Sequence, residues 1–246
     1  MSLSEEQLAE RLRMITGSDA GAIEGTSPHT SAYGRWAIKT GRVKDKFKGN
    51  NKTKLGTWLE GFAVQEYEAF SGRKCRMVHR TMRHKKYDFI GGHIDRLVEG
   101  DPNRGVECKA VTSDGMGKWL DEDDNLIVPP YYISQVKHYA LITGRMTWDF
   151  AAVFTDGRRD PFFKTFEFTK DDVDLYLDRC LKFWEHVQTE TPPDVDGSDA
   201  TSTTLKQEWR ESDPGQVKVA DDSVMTYLRE RAGKKEMKEV YHSQMQ

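Results

Sequence analysis

The stretch GGHIDRLVEGDPNRGVECKAV, residues 91–111, decides how this chain is read. Val106, Cys108 and Ala110 alternate with Glu107, Lys109 and Val111, the period of a β-strand. Upstream, His93–Glu99 alternates only in part, with Ile94 and Leu97 out of strict period. Asp101–Gly105 places a proline where a turn favours it. The segment therefore predicts a hairpin with Asp95 on one strand and Glu107-Cys108-Lys109 on the other. Two carboxylates on adjacent strands can converge on one hard divalent cation, and the backbone carbonyl of residue 108 can add a third oxygen. Glu107 and Lys109 share a face, which brings an ammonium near a metal-bound water and a scissile phosphate. The same pattern also fits an ordinary strand ion pair with Asp95 at the surface. A second Glu-x-Lys, Glu236-Met237-Lys238, reads as a solvated helix face.

Working outward, Leu55–Ser71 is the clearest predicted helix, with apolar residues recurring at three and four and Gly72 as its stop. A short helix is predicted over residues 4–14. Residues 15–25 begin with a turn, after which Ser18 or Asp19 caps a second helix ending near Gly25, and a third, over 30–40, is closed by Gly41. Lys44–Lys54 reads as a basic loop. Strands are predicted at Lys74–His79, Tyr87–Ile90, Thr147–Phe154 and Phe162–Phe168, and helices at Tyr131–Thr143 and Lys170–Glu190. Composition turns polar after residue 190, so residues 1–190 read as one domain. Residues 191–246 read as a polar linker and accessory tail, with a weak charged helix over 223–241. Trp36, Trp58, Trp148 and Trp184 lie on apolar faces and are expected in the core. Trp119, in the acidic loop 112–130, is expected at a subunit or solvent contact.

The 246 residues suit one domain with extensions or two small ones, and 11% aromatic content argues against global disorder. No apolar run is long enough to span a membrane, and the start has no secretory pattern. Three scattered cysteines make a disulfide framework, a cysteine zinc site or an iron–sulfur cluster poor readings, so a reduced cytosolic compartment is expected. Net charge is −3, but the cations are segregated. Arg35–Lys54 holds eight Lys/Arg and one acid, and Ser71–Tyr87 holds seven and none. Either run alone can be a solvated face; two of them flanking a carboxylate site point to nucleic acid.

Asp95 followed by Glu107-x-Lys109 resembles the signature of the PD-(D/E)xK nuclease superfamily. ITGSDAGAIEGTSPHTSAYGRWAIKTG (15–41), GTWLEGFAVQEYEAFSG (56–72), YYISQVKHYALITG (131–144) and DGSDATSTTLKQEW (196–209) resemble successive motifs of the YqaJ-type viral recombinases, which include the phage lambda exonuclease type. The resemblance implies an α/β (α+β) fold with a central mixed β-sheet flanked by helices. It implies a Mg²⁺-dependent enzyme, with one or two ions and Mn²⁺ as a substitute. That enzyme degrades linear double-stranded DNA 5′→3′ to mononucleotides and leaves a 3′ overhang for annealing recombination. It also implies a homotrimer, a single-strand annealing partner, no membrane, and a phage- or prophage-encoded protein in a bacterial cytoplasm.

Residue by residue, the resemblance implies that Asp95, Glu107, the Cys108 carbonyl and Glu60 hold metal. Lys109 is the catalytic lysine, and Gln135 lies near the attacking water. Arg11 and Ser18 grip the terminal 5′-phosphate, an arginine beside a helix N-terminus being a sound phosphate site; Arg13 is a neighbour. His93 stands where a small hydroxyl or proline is expected and reads as a structural histidine or a phosphate contact. Lys85 or nearby Asp88 occupies the region where the lambda type has a further acid. The alternatives are an endonuclease of the same fold and a non-catalytic DNA-binding recombination scaffold.

Overall fold

The computed structural model describes residues 10–45, 51–208, 225–226 and 229–231. The expected helices over 4–14 and 223–241 fall mainly outside them. The chain packs as two compact units: Met1–Thr26 with Lys46–Lys182, and Ser27–Asp45 with Phe183–Gln246. The division between Lys182 and Phe183 falls within the helix Lys170–Thr189.

The first unit is built on a five-stranded mixed sheet. Its strands are β1 (Cys75–Met77), β4 (Arg96–Val98), β5 (Arg104–Val111), β6 (Thr147–Phe154) and β7 (Phe162–Glu167), adjacent in that order. All neighbours are antiparallel except β5 and β6, whose parallel pairing runs from Arg104↔Thr147 to Val111↔Phe154. A parallel pair needs a long crossover. Here it is supplied by a 3-10 turn, Ser113–Lys118, and a helix, Pro130–Thr143.

The helices are α1 (Gly17–Ile23), α2 (Ala32–Lys39), α3 (Asn51–Ser71), α4 (Pro130–Thr143), α5 (Lys170–Thr189) and α6 (Asp199–Glu208). Of these, α1, α3, α4 and the first part of α5 belong to the first unit. Gly72 and Gly144 follow α3 and α4 with φ of 69° and 71°, a left-handed conformation that costs glycine little. α3 starts earlier than expected, taking in the end of the basic stretch.

Strand alternation sends Val106 and Cys108 to one face of the sheet, where they form a core with Ala63 and Tyr67 of α3, Val98, Ala151 and Val153. Glu107 and Lys109 point to the opposite face, toward α4. The layers are pinned by Asp149 on β6. It accepts from Arg104 Nη1 (2.7 Å), Thr165 Oγ1 (2.7 Å) and the Tyr67 hydroxyl. Burial, followed by the hydrogen bond to Asp149, pushes the Tyr67 phenol upward, so it remains a donor.

The structure corrects several expectations. Of the predicted strand 93–99, only Arg96–Val98 is strand, and of it only Arg96 and Leu97 pair with β5. Gly91–Gly92 (β3) instead pairs with Met82–Arg83 (β2) in a separate two-stranded ribbon. Tyr87–Ile90 is not a strand. His84 N–H donates to the Ile90 carbonyl, Ile90 N–H to the Tyr87 carbonyl, and the rings of His84 and Tyr87 stack, so the chain turns here. The cap of α1 is Thr16 rather than Ser18 or Asp19. Asp19 is the reciprocal member of a capping box, accepting from Thr16 N–H at 2.8 Å.

Trp58 is 76% exposed, and Leu55, Phe62 and Phe70 are exposed beside it. The face of α3 that meets the sheet is Ala63–Tyr67, and a helix buries only one stripe. Trp119 is 3% exposed, packed on Tyr132, Phe150 and Phe154, so it covers the sheet rather than facing a subunit. Trp36 and Trp148 are buried as expected, and Trp184 is half-buried.

In the second unit, Ser31 caps α2, accepting from Gly34 N–H at 3.1 Å. Thr201 of α6 donates to Ser31 (2.6 Å) and Tyr33 donates to Glu208 (2.6 Å). Part of the stretch expected to be a polar tail is thus a helix docked within its own unit.

Gly105 lies beneath Trp148, and a Cβ there would sit 2.6 Å from the indole ring. Gly105→Ala is expected to cost about 1–3 kcal/mol of stability, as overpacking does. Urea unfolding checks this through a lowered midpoint.

Candidate active site

Asp95 stands one residue before β4, where the hairpin pairing has ended, and its position follows from that break. The last pair is Arg96↔Val106. Beyond it, the Cys108 N–H finds no strand and donates instead to Asp95 Oδ2 at 3.2 Å. The N–H and C=O of one strand residue point to the same edge. The Cys108 carbonyl therefore faces the same gap as Asp95, while its thiol lies in the core.

Glu107 is fully buried, with 0% of its surface exposed. Its Oε1 accepts from Lys109 Nζ and from Gln135 Nε2 (2.8 Å). Its Oε2 is buried without a hydrogen-bond partner. Gln135 Nε2 also donates to the Tyr139 hydroxyl at 2.5 Å. The Lys109 ammonium lies 5.2 Å from the centre of the Tyr132 ring.

Burial, then the neighbouring Asp95 charge, pushes the Glu107 carboxyl well above its ordinary range. Burial opposes the charge of Lys109, but Glu107 and Asp95 override it and hold the ammonium well above its usual pKa. Glu60 projects from α3 close enough to Asp95 to feel its charge. Burial, then Asp95, raises its pKa to about 7.

Crowded carboxylates with one orphaned buried oxygen fit a cation. Among the described residues no three His, Cys, Asp or Glu side chains form a closed metal cluster. Mg²⁺ does not need one; it is commonly held by one or two carboxylates and water. Asp95, Glu107 and the Cys108 carbonyl meet that requirement, and Glu60 stands by as a nearby acid.

The expected phosphate pair also comes together: Arg11 Nη2 donates to Ser18 Oγ at 2.6 Å. Between its two members, Ile15 ties this segment to the strand region before Asp95 by bridging to Ile90. Ile15 N–H donates to the Phe89 carbonyl and the Gly91 N–H to the Ile15 carbonyl. α1 has only seven residues, and the Asp19 carboxylate occupies its N-terminal end, so the arginine and hydroxyl carry the anion-binding chemistry.

Arg13 is exposed. His93 is exposed, its Nε2 3.4 Å from Thr81 Oγ1, not a buried structural histidine. Asp88 is exposed and held through its main-chain carbonyl by Arg83. The seven cations between Ser71 and Tyr87 are all exposed.

Sequence reasoning missed Tyr139 and Asp149. Tyr139, four residues beyond Gln135, shares its helix face, which was the available signal.

The raised Glu60 pKa has a consequence for the metal-free protein. Unfolded Glu60 ionises near the ordinary glutamate value of 4.5 and folded Glu60 near 7, so stability falls as pH rises between them and stays lower above. Glu60→Gln removes that loss. In EDTA the variant is expected to melt above wild type at pH 8, with the gap closing toward pH 5, by calorimetry.

Residues 6–146 match the YqaJ-like viral recombinase domain family. The chain is 31% identical over 213 residues to the uncharacterized protein YqaJ of Bacillus subtilis (strain 168), covering 85% of this chain and 64% of that relative's length. In fold it is similar to the alkaline exonuclease LHK-Exo of Laribacter hongkongensis, with a TM-score of 0.63 at 20% identity over 76% of this chain and 94% of that one. The same exonuclease in complex with dAMP gives a TM-score of 0.63 at 22% identity over the same shares. The family match spans more than half of its length: the chain belongs to the YqaJ-like viral recombinase domain family.

Proposed function

We propose that this protein is a Mg²⁺-dependent 5′→3′ exonuclease. It degrades linear double-stranded DNA to mononucleotides and leaves a 3′ overhang for annealing recombination. The carrying observation is the convergence of Asp95, Glu107 and Lys109 around a buried carboxylate oxygen with no partner. That donor set suits a hard cation beside a phosphodiester. LHK-Exo, similar in fold, is known in complex with dAMP, a nucleotide of the size such a reaction releases.

Arg11 and Ser18 would bind the terminal 5′-phosphate. Asp95, Glu107 and the Cys108 carbonyl would hold the ion, with Glu60 completing the set. A bound Mg²⁺ neutralises charge on the phosphate and makes water a better nucleophile. Lys109 orients that water and offers its ammonium to the phosphate oxygen, and Gln135 positions the water. The exposed cations of residues 73–86 would follow the duplex backbone, with Arg13 and His93 near the end, so binding should weaken steeply with salt. The wider assembly, a homotrimer with a single-strand annealing protein as partner, belongs to the same reading. Work on DNA in a bacterial cytoplasm belongs to this reading too; among the described residues no helix is long and apolar enough to cross a membrane.

The test is incubation with Mg²⁺ and one plasmid in two forms, covalently closed and linearised with 5′-phosphate ends. Loss of the linear form alone, with mononucleotide release, is expected. Cutting of the circle would make the protein an endonuclease, and binding without cutting would make it a scaffold. Lys109→Ala should abolish cutting and spare DNA binding. Arg11→Ala should lose activity mainly on 5′-phosphate ends, and equal loss on 5′-hydroxyl ends would contradict its anchoring role.

A further inference from the structure

We infer that Tyr139 is a positioning residue that makes Gln135 meet the attacking water as a hydrogen-bond acceptor. The inference deepens the nuclease reading above and rests on it. A glutamine amide offers two donor hydrogens on Nε2 and an acceptor at Oε1. Here both hydrogens are spent. One goes to Glu107 Oε1 at 2.8 Å and the other to the Tyr139 hydroxyl at 2.5 Å. Glu107 Oε1, which also accepts from Lys109 Nζ, fixes which end of the amide faces it. Tyr139 then takes the second hydrogen, which would otherwise be free to point at water. Oε1 is the one polar atom of Gln135 left to face the site. A water donating to Oε1 presents its lone pair elsewhere, and the only reacting group beside Glu107 and Lys109 would be the phosphorus.

The Tyr139 ring is itself held firmly enough for this task. It is buried, its ring centroid lies 5.2 Å from that of Trp148, and the neighbouring His138 ring meets it edge-on. On its other side lies Gly17 of α1. A Cβ on Gly17 would come within 2.8 Å of the Tyr139 ring and 3.2 Å of Gln135 Cγ. Gly17 thus lets α1, which carries Ser18, seat directly on the Gln135–Tyr139 pair. The group proposed to hold the terminal phosphate and the group proposed to hold the water share one contact.

The test combines kinetics with side-chain NMR of full-length protein carrying ¹⁵N-labelled glutamine, the Gln135 signal being assigned by its loss in Gln135→Ala. Tyr139→Phe keeps the ring and removes the acceptor. It is expected to lower kcat about tenfold, the effect of one lost hydrogen bond in the transition state, with KM for DNA unchanged. In a Gln135→Ala background it should do nothing further. In the wild type both Gln135 amide protons should exchange slowly, and in Tyr139→Phe one of them should become fast.

Two results would overturn the inference. One is slow exchange of both protons in Tyr139→Phe. The other is an undiminished tenfold loss in the Gln135→Ala background, which would make Tyr139 a packing residue. The amide measurement needs no DNA and no activity. If the wild type cuts nothing, the nuclease reading fails while the hydrogen-bond assignment is still decided.

Discussion

A carboxylate with none of its surface exposed, Glu107, is the constraint around which the rest is arranged. Burying such a charge is costly unless it is paired and hydrogen-bonded. Lys109 and Gln135 satisfy one oxygen from two different elements, a strand and the crossover helix. The other oxygen has no hydrogen-bond partner. Because Lys109 is two residues along β5 and Gln135 sits on α4, the strand pairing and the crossover must both form before the charge is compensated. The local polar network and the global topology therefore demand each other, a mutual support expected of well-specified folds.

A second buried carboxylate holds the opposite face. Asp149 lies on β6, opposite Val106 in the parallel register and one residue out of phase with Glu107. It ties β5 through Arg104, β7 through Thr165 and α3 through Tyr67. The bond to Tyr67 sets the rotation of α3, and with it the approach of Glu60, seven residues earlier on the same helix, toward Asp95. One sheet thus carries two carboxylates with opposite tasks. Asp149 has its acceptors filled and acts as a pin. Glu107 has one oxygen unfilled and is available for chemistry.

What the sequence made legible was local. The strand period around Glu107 and Lys109 and the helix carrying Gln135 depend on spacing within one element; the roles of Gln135, Arg11 and Ser18 came with the family resemblance, and the structure bonds Gln135 to Glu107 and Arg11 to Ser18. What stayed hidden depended on tertiary choices. Two apolar stripes overlap on α3, and it is the packing of Ala63 and Tyr67 on the sheet, with the Tyr67–Asp149 bond, that turns Ala63 inward and leaves Trp58 outward. Thr16, Ser18 and Asp19 are all good capping residues. Asp19 is buried against Thr16, which leaves Ser18 exposed for Arg11. Trp119 looked like loop surface because nothing in its own segment shows that the loop folds back over Phe150 and Phe154. The break in the hairpin at Asp95 was equally invisible, although the partial alternation of residues 93–99 reflects it.

The central claim is that the unpartnered Glu107 oxygen belongs to a divalent-cation site. It is tested most directly by thermal unfolding of the wild type and Glu107→Gln with and without millimolar Mg²⁺ or Mn²⁺, in the absence of DNA. A ligand that binds only the folded state must raise the melting temperature. A rise in the wild type that is lost in Glu107→Gln is the expected result. No rise in the wild type, or an equal rise in both proteins, would contradict the claim.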